Sequence, residues 1–163
     1  MDEPLAVLLL PARLEGFELE DHARDLLSIP RVIALEPSRV RTPRFMREAT
    51  TVRQAARLRF PGSLRLLVLY HPAQYPLARA LCAHHEEAEF WYVPPVPAAL
   101  EAADQAQSRE LLAFDEFARE RAEQTLAVIG DAGVEDAPLR LRLRELAVIN
   151  PRPFVPGGRF RGQ

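Results

Sequence analysis

The chain has 163 residues, of which 48% are hydrophobic and 27% are charged, and its formal net charge is −2. This length and apolar content fit a single globular domain with its own core, and the near-neutral charge gives no general attraction for nucleic acid or anionic membranes. The lone cysteine, Cys82, allows no intrachain disulfide, and the apolar run near the N-terminus is too short for a membrane span. We therefore expect a cytoplasmic protein without a membrane span.

Four short apolar runs recur along the first two thirds of the chain. They are continuous rather than alternating, which is typical of strands buried on both faces of a parallel sheet. The runs are "LAVLLL" (5–10), "RVIALE" (31–36), "LRLLVLY" (64–70) and "AEFWYV" (88–93).

Segments with helical periodicity separate these runs. The spacing predicts helices over 18–27 and 76–84, and a third that begins at Thr42-Pro43 and ends before Pro61-Gly62. Strands that alternate with helices form βαβ units, with helices on both faces of the sheet. The sequence therefore predicts an α/β fold with a three-layer arrangement around a parallel sheet of four or five strands.

The last third of the chain is less regular. A long C-terminal helix is predicted from about residue 98 to residue 129, with Gly130 as its cap. Residues 138–145 fit either a strand or a helix, and we favour a helix that leads into a fifth strand at 146–150. Proline and glycine are too frequent in 151–163 for a regular element, so an extended tail is predicted beyond a single domain of residues 1–150.

A ligand site is expected at the carboxyl ends of the strands, where open parallel sheets bind their ligands. Polar side chains gather at these ends, and they suit a small polar or anionic molecule. The predicted ligand-binding residues are Arg13, Arg39, Arg41, Gln74 and Tyr75. The arginines near Thr42-Pro43 flank a predicted helix N-terminus, which favours anions through its free N–H groups.

His71 lies on the turn between the third strand and the next helix. An imidazole at this position could act as a general base near neutral pH, and His71 is the candidate catalytic residue. It could also simply cap the helix that follows or bond a neighbouring carbonyl. The sequence leaves open whether any reaction is catalysed.

Several common motifs are absent. Neither G-x-G-x-x-G nor a P-loop follows the first strand, and no G-x-S-x-G occurs, so no nucleotide cofactor and no nucleophile elbow are predicted. The run "AHHEEAE" places its histidines and glutamates next to one another, where they point in different directions on a helix end. No metal site is predicted there.

The segment "LRLLVLYHPAQYPLARALCAHHEEAEFWYVPP" resembles the N-terminal, Rossmann-like domain of GT-B type glycosyltransferases. In that family, a strand ending in an aromatic residue, a proline turn, a "pLArAL" helix and a "Y-V" strand often follow one another. The resemblance implies a domain that holds the acceptor, while a second domain binds the nucleotide sugar. An enzyme of this kind would be a glycosyltransferase-like transferase that needs a second domain or subunit. Pro94-Pro95 and the missing glycine-rich loop depart from the family pattern.

Two other functions remain open. A protein-interaction or regulatory subunit would act through the long helix and the tail "PRPFVPGGRFRGQ", with a homo-oligomer or another protein as partner. A nucleic-acid function would use arginines and phenylalanines of the last quarter of the chain, and the net acidity and lack of a nucleic-acid motif disfavour it. The arginines are Arg140, Arg142, Arg144, Arg152, Arg159 and Arg161, and the phenylalanines are Phe154 and Phe160.

Overall fold

The computed structural model describes residues 3–10, 17–35, 53, 55–95, 105–126, 128–129 and 133–149. Five strands form one parallel sheet: β1 (Pro4–Leu9), β2 (Val32–Leu35), β3 (Ser63–Leu69), β4 (Glu89–Tyr92) and β5 (Gln124–Thr125). The described helices are α1 (Phe17–Leu27), α2 (Tyr75–His84), α3 (Gln105–Arg121) and α4 (Ala137–Ile149), and a 3₁₀ turn spans Pro72–Gln74. A separate antiparallel pair joins β6 (Val128–Ile129) to β7 (Gly133–Val134). The predicted α/β fold with a parallel sheet is confirmed.

The strands lie in the order β2-β1-β3-β4-β5. The interior strand β1 is buried along its whole length, which explains its unbroken run of apolar residues. Its register with β3 shifts between Leu5 and Ala6, so that Leu64 and Leu66 take successive partners on β1. Arg65 is the extra residue of this bulge, and its guanidinium pairs with Glu87 at 2.9 Å. The bulge accommodates the charged Arg65 within the interior strand β3.

Each face of the sheet has its own core. On one face, α1 and α4 supply Ala23, Leu26, Leu139, Leu143 and Leu146 to a cluster that includes Leu8 and Val68. On the other face, α2 and α3 supply Tyr75, Leu77, Leu81 and Ala118 to a cluster that includes Leu9 and Leu69. Helices therefore cover both faces of the sheet.

The prediction of a long C-terminal helix over 98–129 is wrong at the C-terminal end of that range. Helix α3 stops at Arg121, and the chain then pairs with the free edge of β4. The Glu123 N–H donates to the Phe90 carbonyl and the Leu126 N–H donates to the Tyr92 carbonyl, each at 2.8 Å. These bonds satisfy backbone groups that the edge of β4 would otherwise leave unpaired. Residues 96–104 and Gly130 lie outside the described residues.

The fifth strand predicted at 146–150 is also wrong, because residues 137–149 form one helix. Leu139, Leu143 and Leu146 are buried at helical spacing, whereas Leu141 is 57% exposed, so the alternating pattern does not reflect a strand. The position beside β4 is taken by Gln124–Thr125 instead. Of the helix predicted from Thr42 to before Pro61, the structure describes residues 53 and 55–60, of which 53 and 55–57 are helical and 58–60 are not. The tail at 151–163 lies outside the described residues.

Candidate functional site

The carboxyl ends of β1 and β3 mark the point where the strand order reverses. The chain places β2 on one side of β1 and then places β3 on the other side. In sheets of this kind the two connections that follow the neighbouring strands turn to opposite faces, and a crevice opens between them. The edge formed by Leu10 and by Tyr70 to Gln74 is therefore the candidate ligand site.

His71 caps the turn that follows β3. Its backbone is extended, with φ −153° and ψ 134°, and its Nδ1 atom accepts a hydrogen bond from the Ala73 N–H at 3.1 Å. This bond orients the ring and places the proton of the neutral imidazole on Nε2. A catalytic function of His71 stays a prediction, and its capping function is visible in the geometry.

Gln74 spans the candidate site from the β3 side to the β1 side. Its Nε2 donates to the Leu10 carbonyl at 2.8 Å, just beyond the end of β1. The residue is 9% exposed, and its Oε1 atom is buried without a hydrogen-bond donor in the described part of the chain. A buried acceptor without a partner is rare in folded proteins and calls for an explanation.

Tyr75 directly follows Gln74 in the chain but has a different environment. Its ring is 4% exposed and lies in the core between α2 and α3. The ring centroids of Phe114 and Phe117 are each 6.0 Å from that of Tyr75, and the centroid of Phe90 is 6.4 Å away. These contacts give Tyr75 a packing function, and ligand contact by Tyr75 stays a prediction.

The three predicted arginines, Arg13, Arg39 and Arg41, lie outside the described residues. Of the predicted site residues that the structure describes, Gln74 and His71 share the turn after β3, and Gln74 alone reaches the end of β1. The anion-binding part of the predicted site stays a prediction.

A buried polar network, which was not predicted from the sequence, lies on the α1–α4 face. His22 of α1 is 5% exposed, and its ring bonds to Asp136 and to the hydroxyl of Tyr70. The signal was present in the pattern of α1, because His22 lies between Leu19, Ala23 and Leu26 on the apolar stripe. A polar residue in such a stripe needs a buried partner.

A second buried tyrosine is held on the opposite face. The Tyr92 hydroxyl donates to Asp115 of α3 at 2.6 Å, and Asp115 also pairs with Arg119 at 2.9 Å. Burial, followed by the Asp115 carboxylate, raises the pKa of Tyr92 far above its usual value. This pair joins α3 to β4, and the raised pKa keeps the phenol protonated.

Other residue types offer little chemistry in the described part of the chain. Burial raises the pKa of the Cys82 thiol to about 11, so the thiolate that would react is scarce at neutral pH. No three histidine, cysteine, aspartate or glutamate side chains of the described residues converge as metal ligands would. Every helix in the described segments is too short or too polar to traverse a lipid bilayer.

Two of the three arginines on α4 are engaged by carboxylates. Arg140 pairs with Asp136 at 3.0 Å, and Arg142 binds Glu89 through two nitrogens and Glu145 at 2.9 Å. Arg144 is exposed. Carboxylates therefore offset much of the positive charge that a nucleic-acid site on α4 would require.

Comparisons with models of protein families, with curated proteins and with solved structures find no match to this chain.

Proposed function

We propose that this chain is a small-ligand-binding α/β domain that takes a polar or anionic molecule at the carboxyl ends of β1 and β3. The observation that carries the proposal is the buried Oε1 atom of Gln74, which has no hydrogen-bond donor among the described residues and lies where the strand order reverses. This buried acceptor lies at the end of the sheet where doubly wound folds bind their ligands.

The hydrogen bond of Gln74 to β1 determines what its other atom can bind. Since Nε2 donates to the Leu10 carbonyl, Oε1 must face away from that carbonyl as an acceptor. A buried acceptor without a partner costs about 1–3 kcal/mol. A ligand that presents an O–H or N–H group to Oε1 would offset this cost, so a hydroxyl-bearing or amine-bearing ligand fits best.

The arginines predicted from the sequence would bind the anionic group of the ligand. In the sequence, Arg13 follows β1, and Arg39 and Arg41 follow β2. A sugar phosphate combines hydroxyl donors for Gln74 with a phosphate for guanidinium groups. Such a ligand also agrees with the resemblance to a glycosyltransferase acceptor domain, which would make this chain a binding domain for a sugar-like acceptor.

Thermal shift measurements with glucose-6-phosphate, glucose and inorganic phosphate test the proposal. We expect glucose-6-phosphate to stabilise the wild type and to bind Arg39→Ala more weakly by about 1.5–3 kcal/mol, as the loss of a charge-assisted hydrogen bond predicts. Gln74→Leu should also bind it more weakly, whereas the matched control Gln124→Leu, at an exposed position of β5, should bind as the wild type does. His71→Ala should bind nearly normally. Equal shifts in all variants, or no stabilisation of the wild type, would contradict the proposal.

A protein-interaction function is the second candidate, and one observation favours it. Leu112 and Phe117 of α3 are 47% and 48% exposed, so this helix presents two large apolar side chains that another molecule could cover. Sedimentation velocity on the wild type and on a Leu112→Glu, Phe117→Glu double variant tests it. Loss of self-association in the variant supports this function, and a monomeric wild type contradicts a homo-oligomer.

A further inference from the structure

His22 is bonded at both ring nitrogens to groups that come from distant parts of the chain. Its Nδ1 is 2.8 Å from an oxygen of Asp136, and its Nε2 is 2.7 Å from the hydroxyl oxygen of Tyr70. The three residues join α1, the end of β3 and the start of α4. Asp136 directly precedes α4, and its carbonyl accepts the first helical hydrogen bond, from the Arg140 N–H.

The partners fix where the protons lie. The Asp136 carboxylate only accepts, so Nδ1 carries the ring proton and donates it. Nε2 then has a free lone pair, and the Tyr70 O–H donates to it. Although burial acts to raise the pKa of Asp136, the hydrogen bonds from Arg140 and His22 outweigh it and lower that pKa overall. Every polar group of the network is satisfied only while the imidazole is neutral.

Protonation of His22 would break this arrangement. A proton on Nε2 would face the Tyr70 O–H, which would have to turn towards another acceptor. Tyr70 is 2% exposed and lies in the apolar cluster of the α1–α4 face, where no second acceptor binds its hydroxyl among the described residues. A hydroxyl that loses its only acceptor inside a core is destabilising.

The charged groups around the ring do not outweigh the effect of burial on the pKa of His22. Burial lowers the pKa of His22 below its usual value of 6.5, Asp136 and Asp25 act to raise it, and Arg140 adds to the lowering. Arg140 binds Asp136 at 3.0 Å and approaches Asp25 at 3.7 Å, so the same guanidinium already balances both carboxylates. Charge on the imidazole is therefore disfavoured in the folded state.

We propose that the Asp136–His22–Tyr70 network is a pH-sensitive latch that holds α1 and α4 on the sheet while His22 is neutral and releases them when His22 is protonated. Tyr70 belongs both to this network and to the edge of the candidate ligand site, and the latch needs no bound ligand to open. It opens in mildly acidic solution, in the range where an imidazole takes up a proton.

The direction of the pH effect follows from the folded and unfolded states of His22. A group with a lowered pKa in the folded state binds fewer protons there than in the unfolded chain, so stability rises with pH. The contribution of His22 is fully present above its unfolded pKa, about 6.5. It is lost as the pH falls from there towards the lower pKa of the folded state. The Asp136 carboxylate titrates below 3.8, in a separate and more acidic range.

Urea unfolding of the full chain at about pH 7.5 and at about pH 5, on either side of the histidine range, tests the latch. The wild type should be less stable at the lower pH, and His22→Gln should lose much of this dependence. Each unit of pKa difference gives about a tenfold change in the unfolding constant. The control His84→Gln, at an exposed position of α2, should keep the wild-type dependence except for the small part that His84 contributes through His85. His85 leaves a residual slope in every variant, because burial and His84 lower its pKa too.

Tyr70→Phe provides a second test in case His22→Gln does not fold. It keeps the ring and removes the donor to Nε2, so the pKa of His22 should rise and the pH dependence should shrink. Nitrogen NMR of the wild type should show His22 protonated on Nδ1 at neutral pH and titrating below 6.5. A His22 pKa at or above this value, or the same pH dependence in the wild type, His22→Gln and Tyr70→Phe, would overturn the latch.

Discussion

The side-chain nitrogen of Gln74 lies 2.8 Å from the carbonyl oxygen of Leu10, so the turn after β3 is tied to the end of β1. This bond crosses the place where the strand order reverses. The same carboxamide keeps its oxygen buried and without a donor among the described residues. The Gln74 side chain therefore links the ends of β1 and β3 through its nitrogen and leaves its oxygen as an acceptor for a ligand.

Substitution of Gln74 tests this double function through stability. In Gln74→Leu the hydrogen bond to Leu10 is lost and the unpaired oxygen is removed as well, so the two effects largely cancel and the free energy of unfolding should change by less than about 1 kcal/mol. Gln74→Glu places a buried carboxylate against the Leu10 carbonyl and should cost about 2 kcal/mol or more. Urea unfolding measures both, and equal losses in the two variants would contradict this reading.

Removal of the Tyr92 hydroxyl tests the link between β4 and α3. Tyr92→Phe loses a 2.6 Å hydrogen bond to Asp115 inside the core and should lower the free energy of unfolding by about 1.5–3 kcal/mol. Tyr75→Phe is the matched control, since the Tyr75 hydroxyl makes no hydrogen bond within the described residues. It should change stability little, and a larger loss in Tyr75→Phe than in Tyr92→Phe would contradict the assignment.

Gly62 allows a close approach at the start of β3. A Cβ atom at this position would lie 2.3 Å from the Glu3 carbonyl oxygen, which accepts a 2.8 Å hydrogen bond from the Ser63 N–H. Gly62→Ala should therefore displace the start of the β1–β3 ladder and cost about 1–3 kcal/mol. Ser63→Ala, one residue further, should be mild in the same denaturation experiment. A neutral Gly62→Ala would show that the Glu3 backbone can move away.

Arg31 adopts a left-handed backbone conformation with φ 68°, which is costly for a residue with a Cβ atom. Its guanidinium pairs with Glu3 at 2.8 Å. Arg31→Gly and Arg31→Ala both lose this ion pair, but glycine relieves the backbone strain. Arg31→Gly should be more stable than Arg31→Ala by about 1 kcal/mol. Thermal unfolding of the pair of variants measures the difference, and the reverse order would contradict the left-handed conformation.

Most of the parallel sheet could be predicted from the sequence, because strands buried on both faces leave an unbroken apolar run. The strand β5 could not, since Gln124 and Thr125 are both exposed and carry no apolar signal. Their pairing is decided by the free edge of β4, which is a property of the tertiary structure. The alternating run in α4 fits a strand as well as a helix because Leu141 is an exposed leucine, and the favoured helix over 138–145 is the one that forms.

The sequence predicts a candidate site at the carboxyl ends of the strands, but it does not predict which contacts the side chains there make. The sequence placed Gln74 at a strand end, but neighbouring residues in a tight turn point to different places, and Tyr75 packs into a core instead. The bond between His22 and Tyr70 joins residues 48 positions apart. Such a contact depends on how α1 packs on β3, and the pattern of α1 indicates only that His22 needs some partner.

Backbone amide NMR of the full chain during titration with glucose-6-phosphate tests the ligand site most directly. We predict that the largest shift changes fall on Leu10 and on the turn from His71 to Gln74, and that they are reduced in Gln74→Leu and retained in Gln124→Leu. Shift changes confined to α3 around Leu112 and Phe117, or no changes under conditions that leave the protein folded, would contradict a ligand site between β1 and β3.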